Sequence, residues 1–364
     1  MIRFIALSGF LGAGKTTTMT TAAQQLRERG HRVVVITNDQ SDDLVDTAMA
    51  GPGAGEVTGG CFCCRFEDLY AVTNRLVAEH DADVVIAESV GSCTDLTATV
   101  IRPMAELYGE RFRVAPLTTV VDPLRYLRLL PDLERGPAGT DLAYLFGRQL
   151  EDAAVIGLNK TDLLEPDEVA EILRSLRDRY PRATVVPYAA GRGDVSGLLG
   201  AWSAEHIDTG VDLDVDYGRY GVAEAKLAWL NQTHDVRTAA GFRPAAWARD
   251  VLHALAARCR AAGYVVGHVK IMMMNGDQPL AKASLIDADR PPIVDLDLTI
   301  RVEAARAVVN ARVQCEPADL ERLVAEAVAE SSRGLQAERC DDRSSFKPGQ
   351  PNPTHRILVA AESS

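Results

Sequence analysis

The feature that most constrains this chain is Leu7-Ser8-Gly9-Phe10-Leu11-Gly12-Ala13-Gly14-Lys15-Thr16-Thr17, a glycine-rich stretch closing on Lys-Thr. It lies between a strand-like and a helix-like run. Ile2 to Leu7 reads as a buried strand, and Thr16 to Arg29 sets Met19, Ala22, Ala23 and Leu26 on one face of a helix that Gly30 stops. Strand, loop and helix in that order are the context a phosphate-binding loop requires, whereas a plain glycine-rich turn needs none of them. The glycines let successive backbone N–H groups face phosphate oxygens, and the helix N-terminus adds its partial positive charge. Gly9, Gly12, Ala13, Gly14, Lys15, Thr16 and Thr17 are therefore the candidate phosphate contacts. Lys15 would meet the terminal phosphates, and the Thr16 hydroxyl would ligate Mg²⁺.

The base is read further along. Ala153 to Leu158 looks like a late buried strand running into Asn159-Lys160-Thr161-Asp162. An aspartate there can accept from N1–H and the exocyclic amine of guanine, a donor pair that adenine lacks. That match selects GTP over ATP. Asn159 would brace the loop and the Lys160 stem would lie along the base. The competing reading is an ordinary strand-to-turn connection. Ala189-Ala190-Gly191, after Thr184 to Pro187, is a weaker candidate for a second base-contact loop.

Two acidic elements lie between. Val33 to Thr37 reads as a strand leading to Asn38-Asp39, and Asp83 to Ala87 as another ending in Glu88-Ser89-Val90-Gly91. In open parallel sheets ligands gather at the carboxyl ends of strands, so Asp39 and Glu88 should face the phosphates and Mg²⁺. Lys15, Thr16, Asp39 and Glu88 are the candidate catalytic set. A backbone N–H at Gly91 would sense the terminal phosphate and be released on hydrolysis. Asp42, Asp43 and Asp46 read more simply as a solvated loop.

Gly59-Gly60-Cys61-Phe62-Cys63-Cys64 sets the chain apart from an ordinary nucleotide hydrolase. Cys61, Cys63 and Cys64 can put two or three thiolates around one soft ion: Zn²⁺ fits best, and Cu(I) or Co²⁺ would also accept such ligands. The fourth position is open to water, an acidic side chain or a partner's ligand. Cys93 would complete the shell if the loops converge; small cysteines also pack well at helix starts. A redox pair or inert buried thiols are the alternatives.

These motifs in this order resemble the CobW family of GTPases, the cobalamin-synthesis-like proteins, over roughly the first 200 residues. The resemblance implies a low-turnover GTPase acting as a metallochaperone, with nucleotide state controlling capture and release of Zn²⁺ or Co²⁺ at the cysteines for a client metalloenzyme. Nickel delivery to urease and hydrogenase and activation of nitrile hydratase occur among its relatives. An activator with a structural metal is the second reading and a small-molecule kinase a third, against which Asn159 to Asp162 counts. There are departures: Asp39 and Ser41 stand where the family usually has glutamate and glycine, the segment Glu88 to Asp95 lacks the family's more frequent glycine and later proline, and the seven histidines form no metal-storing tract.

The order of strand-like and helix-like runs predicts an α/β fold in which a mostly parallel sheet flanked by helices is followed by a smaller α+β domain, and composition agrees. The 364 residues, 47% of them apolar, allow two cores. A net charge of −12 gives no footprint for nucleic acid or an anionic membrane. No apolar run is long enough to span a bilayer, and the first residues already read as a strand, so neither anchor nor signal peptide is expected and the location is cytosolic. Seven cysteines, three of them clustered, read as thiols of a reducing compartment. A homodimer is compatible with this class. The expected domains are residues 1–210 and 217–332, with a polar tail at 333–364, and the boundary falls in the acidic stretch Glu205 to Asp216. In the second domain, strands are expected over Ala225 to Leu230, Tyr264 to Met274, Leu280 to Ile286 and Ala307 to Gln314, with helices over Ala245 to Ala262 and Ala318 to Ala329. Met272-Met273-Met274 reads as strand core rather than a thioether copper site, and His253 and His268 as packing residues. The tail reads as a disordered end; the alternative is an extended segment lying back on a domain and bringing Cys340 or His355 towards metal.

Overall fold

A computed structural model describes residues 1–38, 53–204, 212–341 and 345–359. Asp39, Ser41, Asp42, Asp43 and Asp46, and most of the expected boundary stretch, lie outside them. The chain forms two units, one of residues up to 223 and again from 350 onward, the other of residues 224–349.

The first unit holds a parallel sheet of β1 (Ile2–Ser8), β2 (Val33–Asn38), β3 (Ala54–Val57), β4 (Val84–Glu88), β5 (Phe112–Val114), β6 (Thr118–Val121), β7 (Val155–Leu158) and β8 (Thr184–Pro187). Its order is β3-β2-β4-β1-β6-β7-β8, with β5 pairing to the start of β1. β2 and β4 are buried along their whole length, because helices cover both faces of such a sheet. The phosphate-loop candidate leaves the carboxyl end of β1, in the middle of the sheet, and enters the helix Lys15–Glu28. That helix packs Met19, Ala22, Ala23 and Leu26 into the core with Ile5, Leu7 and Val35.

The second unit is antiparallel: β9 (Ala228–Phe242), β10 (Val265–Asn275), β11 (Gln278–Leu285), β12 (Ile293–Asp297), β13 (Val302–Gln314) and β14 (Gln336–Arg339) in the order β12-β11-β10-β13-β9-β14. The helices Pro244–Ala262 and Pro317–Ser331 bury Val251, Leu252, Leu255, Leu320 and Val324 against it. Met272 and Met273 are buried in β10, as core residues. Two sequence expectations are corrected. Tyr217–Ala225 is a helix, so the strand begins at Ala228 rather than Ala225. The tail over 350–359 is not a loose end: Thr354 N donates to Cys63 O and Ile357 N to Ala98 O, both at 2.8 Å. Cys340 stays in the second unit, where its N–H donates to Thr233 O. Among the described residues no helix is long and apolar enough to cross a membrane.

Candidate nucleotide and metal site

The loop from Gly9 to Lys15 is held by its own backbone and by two distant residues. Gly9 has φ +133°, and a Cβ there would sit 2.3 Å from Val120 O, so no other residue fits. Lys15 is buried and donates through Nζ to Gly9 O at 2.7 Å, which curls its side chain back over the loop where phosphates would lie. Asn159 Nδ2 donates to Ala13 O at 3.0 Å, and Asn159 Oδ1 accepts from Ala190 N at 3.1 Å. Asn159 thus braces the loop and links it to Ala189-Ala190-Gly191. Lys160 Nζ donates to Gly12 O at 2.8 Å and pairs with buried Asp122 at 2.7 Å. Asp162 is partly exposed and paired with Arg192 at 3.1 Å. Its ion-pair partner is thus the exposed Arg192, while the preceding Lys160 is the residue that reaches the phosphate loop.

Thr16 Oγ1 donates to Glu88 Oε1 at 2.9 Å, joining the helix start to the end of β4. A hydroxyl and a buried carboxylate side by side are the hard oxygen donors that fit Mg²⁺. Beyond Glu88 the chain turns at Gly91, where a Cβ would fall 2.5 Å from Leu11 Cδ2 and 3.0 Å from Leu11 N. Gly91 is therefore in close contact with the phosphate loop. Two residues on, Cys93 enters a group of thiols.

Cys61, Cys63 and Cys93 are buried, with sulfurs all within 4.8 Å of one another. Cys61 Sγ lies 2.8 Å from Cys63 Sγ and 3.3 Å from Cys64 Sγ, and Cys63 to Cys64 is 3.8 Å. Sulfurs at about 2.3 Å from a tetrahedral Zn²⁺ stand about 3.8 Å apart, so an entering ion would need Cys61 and Cys63 to part by about 1 Å. The donor set and its size fit a soft ion. S–H donation from Cys63, then Cys64 and Cys93, draws the Cys61 thiol well below its ordinary value, while donating to Cys61 pushes Cys63 up and Cys64 up to about 11. Metal binding requires deprotonated sulfur, so a thiol eased towards its anion by its neighbours suits a cation site. All seven cysteines are free thiols.

The sequence pins this loop twice. Cys61 O accepts from Cys64 N at 3.0 Å and Arg65 N at 2.9 Å, winding the motif into the helix Phe66–His80 whose N-terminus favours negative sulfur. Asn38, at the end of β2, donates to Val57 O and Gly60 O and accepts from Phe62 N, all at 2.8–2.9 Å.

Sequence reasoning missed Gln149, Asp152 and Asp122. Buried Gln149 Nε2 donates to Gly91 O at 3.0 Å and Cys93 O at 2.8 Å. Asp152 accepts from Leu96 N at 2.6 Å, and burial, outweighing that donor and Thr97, pushes it up to about 7. Asp122 caps the helix Pro123–Glu134 while holding Lys160. Only their contacts, none of them sequence-local to a motif, reveal these roles. His355 lies outside the thiol group, against Glu67 at 3.0 Å and the ring edge of Phe66.

A model of the CobW/HypB/UreG nucleotide-binding domain matches residues 3–187, about half the chain. The zinc chaperone CobW of Sinorhizobium sp. is 30% identical over 201 residues, 49% of this chain and 55% of that protein. The zinc-regulated GTPase metalloprotein activator 1 of Dictyostelium discoideum is 28% identical over 217 residues, 50% of this chain and 44% of that protein. The chain thus spans about half the length of these relatives. The crystal structure of Zn(II)-bound YjiA GTPase from E. coli overlaps 91% of this chain and 99% of that one, at 15% identity and a TM-score of 0.38, too loose to carry an inference. With its phosphate loop, strand order and thiol motif inside the matched region, this chain belongs to the CobW/HypB/UreG family.

Proposed function

We propose that the protein hydrolyses GTP and carries zinc, loading it into a client metalloenzyme under nucleotide control. The observation that carries this reading is one short segment: Gly91 packs on the phosphate loop at Leu11, and Cys93, two residues later, belongs to the buried thiol group. A backbone that follows the terminal phosphate therefore also repositions a sulfur.

In this reading the backbone N–H groups of Gly12 to Thr17 and Lys15 hold the phosphates, while Asp162 reads guanine with Asn159 and Lys160 framing the base. Thr16 and Glu88, with Asp39 from outside the described residues, would hold Mg²⁺, which neutralises charge on the phosphates when bound. Cys61, Cys63 and Cys64, joined by Cys93, take the cargo ion, Zn²⁺ or alternatively Co²⁺. The burial of the sulfurs favours a second reading in which the metal is structural and the protein acts as a GTP-dependent activator.

The test is phosphate release from GTP against ATP by the reduced protein, paired with Co²⁺ titration read by thiolate-to-metal absorption. GTP preference and an intense near-ultraviolet band are expected. Equal use of ATP sinks the base assignment, and no thiolate band sinks the metal assignment.

A further inference from the structure

The segment following the second unit returns to the first and lies across the cysteine motif. Its sequence is Pro351-Asn352-Pro353-Thr354-His355-Arg356-Ile357. Two prolines at alternate positions hold it extended and remove their own N–H groups, so the amides of Asn352 and Thr354 project to one side with the two-residue period of a strand. Those two amides meet the metal motif: Asn352 N donates to Cys64 Sγ at 3.2 Å and Thr354 N to Cys63 O at 2.8 Å. The Thr354 hydroxyl donates to Cys64 O at 3.1 Å.

Further on, the same segment meets the element that carries Cys93. Arg356 Nε donates to Asp95 Oδ2 at 2.8 Å, and its Nη2 donates to Leu213 O at 2.8 Å. Asp95 is buried, and Tyr217 donates to the same carboxylate oxygen at 2.6 Å. Ile357 N then donates to Ala98 O at 2.8 Å, and buried Arg102 donates to Ile357 O at 2.9 Å. One strap therefore stitches Cys63 and Cys64 to the segment beyond Cys93, the two chain stretches that supply the sulfurs.

We propose that residues 351–359 form a closing strap over the thiol site that sets how fast the cargo ion enters and leaves, with Arg356 as the positioning residue that clamps it. This rests on the cargo reading of the cysteines given above. The ties are unequal: backbone bonds to the cysteine motif are few and at the surface, whereas Arg356 supplies the charge opposite a buried carboxylate. Opening the strap is governed by that pair, and Asp95 moves with the segment that Gly91 begins. The nucleotide state would thereby reach the strap through Asp95.

The experiment uses the full-length protein loaded with Zn²⁺ alone and measures transfer to a colorimetric chelator in the GDP state. Two variants are compared with wild type: Arg356→Ala, and Thr354→Pro, which removes the N–H and hydroxyl donated to Cys63 and Cys64 at an exposed position and leaves Asp95 paired. Arg356→Lys is the conservative control. In parallel, metal-free protein is alkylated with iodoacetamide and the modification of Cys64 is followed by peptide mass analysis. Faster zinc transfer, by tenfold or more, and faster Cys64 alkylation are expected in both variants with unchanged circular dichroism, and Arg356→Lys should recover most of the slow exchange. Folded variants that transfer zinc and alkylate at the wild-type rate overturn the strap. Wild-type protein that holds no zinc overturns the proposed function instead, and the alkylation rates then decide by themselves whether the strap covers the thiols.

Discussion

The Gln149 carboxamide donates to Cys93 O at 2.8 Å from a fully buried position, and the same nitrogen reaches Gly91 O at 3.0 Å. Three residues along, Asp152 takes the amide of Leu96. One end of the helix Asp141–Glu151 thus ties the turn from Gly91 to Leu96 together at both of its ends. On the proposed function, a shift of Gly91 against Leu11 would be passed to Cys93 through this turn.

Replacing Gln149 with Leu leaves two buried carbonyls without their donor. The expected loss of stability is about 1–3 kcal/mol, read from urea unfolding. The more telling effect is on coupling: zinc affinity measured with GTP analogue and with GDP should converge, while each nucleotide still binds. Wild-type coupling in a folded Gln149→Leu protein would show that the turn does not transmit.

Lys15→Ala removes a cation that donates to Gly9 O and Phe10 O. Hydrolysis of GTP should fall by about 10²–10³ or more, as when one charge-stabilising group is lost, with the melting temperature little changed. A folded variant with normal turnover would remove Lys15 from the phosphate site.

Asp152 gives stability a pH dependence of defined sign. Burial pushes its carboxyl up to about 7, whereas an unfolded aspartate titrates near 3.9. Between those values the native state keeps a proton that the unfolded chain has lost. Stability therefore falls as pH rises through roughly 4 to 7, by up to about 1.4 kcal/mol per unit, and levels off above. Asp152→Asn should flatten that part of the urea-midpoint profile between pH 5 and 8. An unchanged slope in the variant would assign the dependence to other groups.

How much of this was legible in sequence follows from range. Gly9 to Thr16 announces itself because glycine spacing, strand and helix are all local, and the structure moves the helix start only from Thr16 to Lys15. Runs such as Val33 to Ile36 are readable because a strand covered on both faces is apolar at every position. The helix Tyr217–Ala225 was missed: its glycines at 218 and 221 hide the periodicity. β12, over Ile293–Asp297, was missed because an exposed edge strand carries no alternation. In the tail, prolines and polar residues look like disorder until Cys63, Asp95 and Ala98 are brought beside them. Cys64 reads as an equal of Cys61 and Cys63 because adjacency in sequence is visible; Cys93 reads only as a conditional fourth sulfur, because the convergence of its loop is fixed by contacts such as that of Gln149, far off in sequence.

That difference between Cys64 and Cys93 supports a discriminating test. Cys93 is fully buried with its sulfur within 4.8 Å of those of Cys61 and Cys63, and Cys64 is half-buried with its sulfur accepting from Asn352 N. Serine is close to cysteine in volume, so Cys93→Ser should fold, but its hydroxyl is a poor ligand for a soft ion. Zinc affinity should drop by at least about 100-fold, more than the loss of an outer partner of a ligand costs. Cys64→Ser should cost less. By linkage, whatever factor GTP applies to zinc affinity, zinc must apply to GTP affinity, and about 1–3 kcal/mol is typical. If the coupling runs from Gly91 through Cys93, Cys93→Ser abolishes it in both directions, whereas Cys64→Ser leaves it in place on a weaker site. Calorimetric titration of zinc into each variant, with GTP analogue and with GDP, separates the cases: a Cys93→Ser protein that binds zinc like wild type and still responds to nucleotide would make Cys64 the third ligand and break the proposed route between the sites.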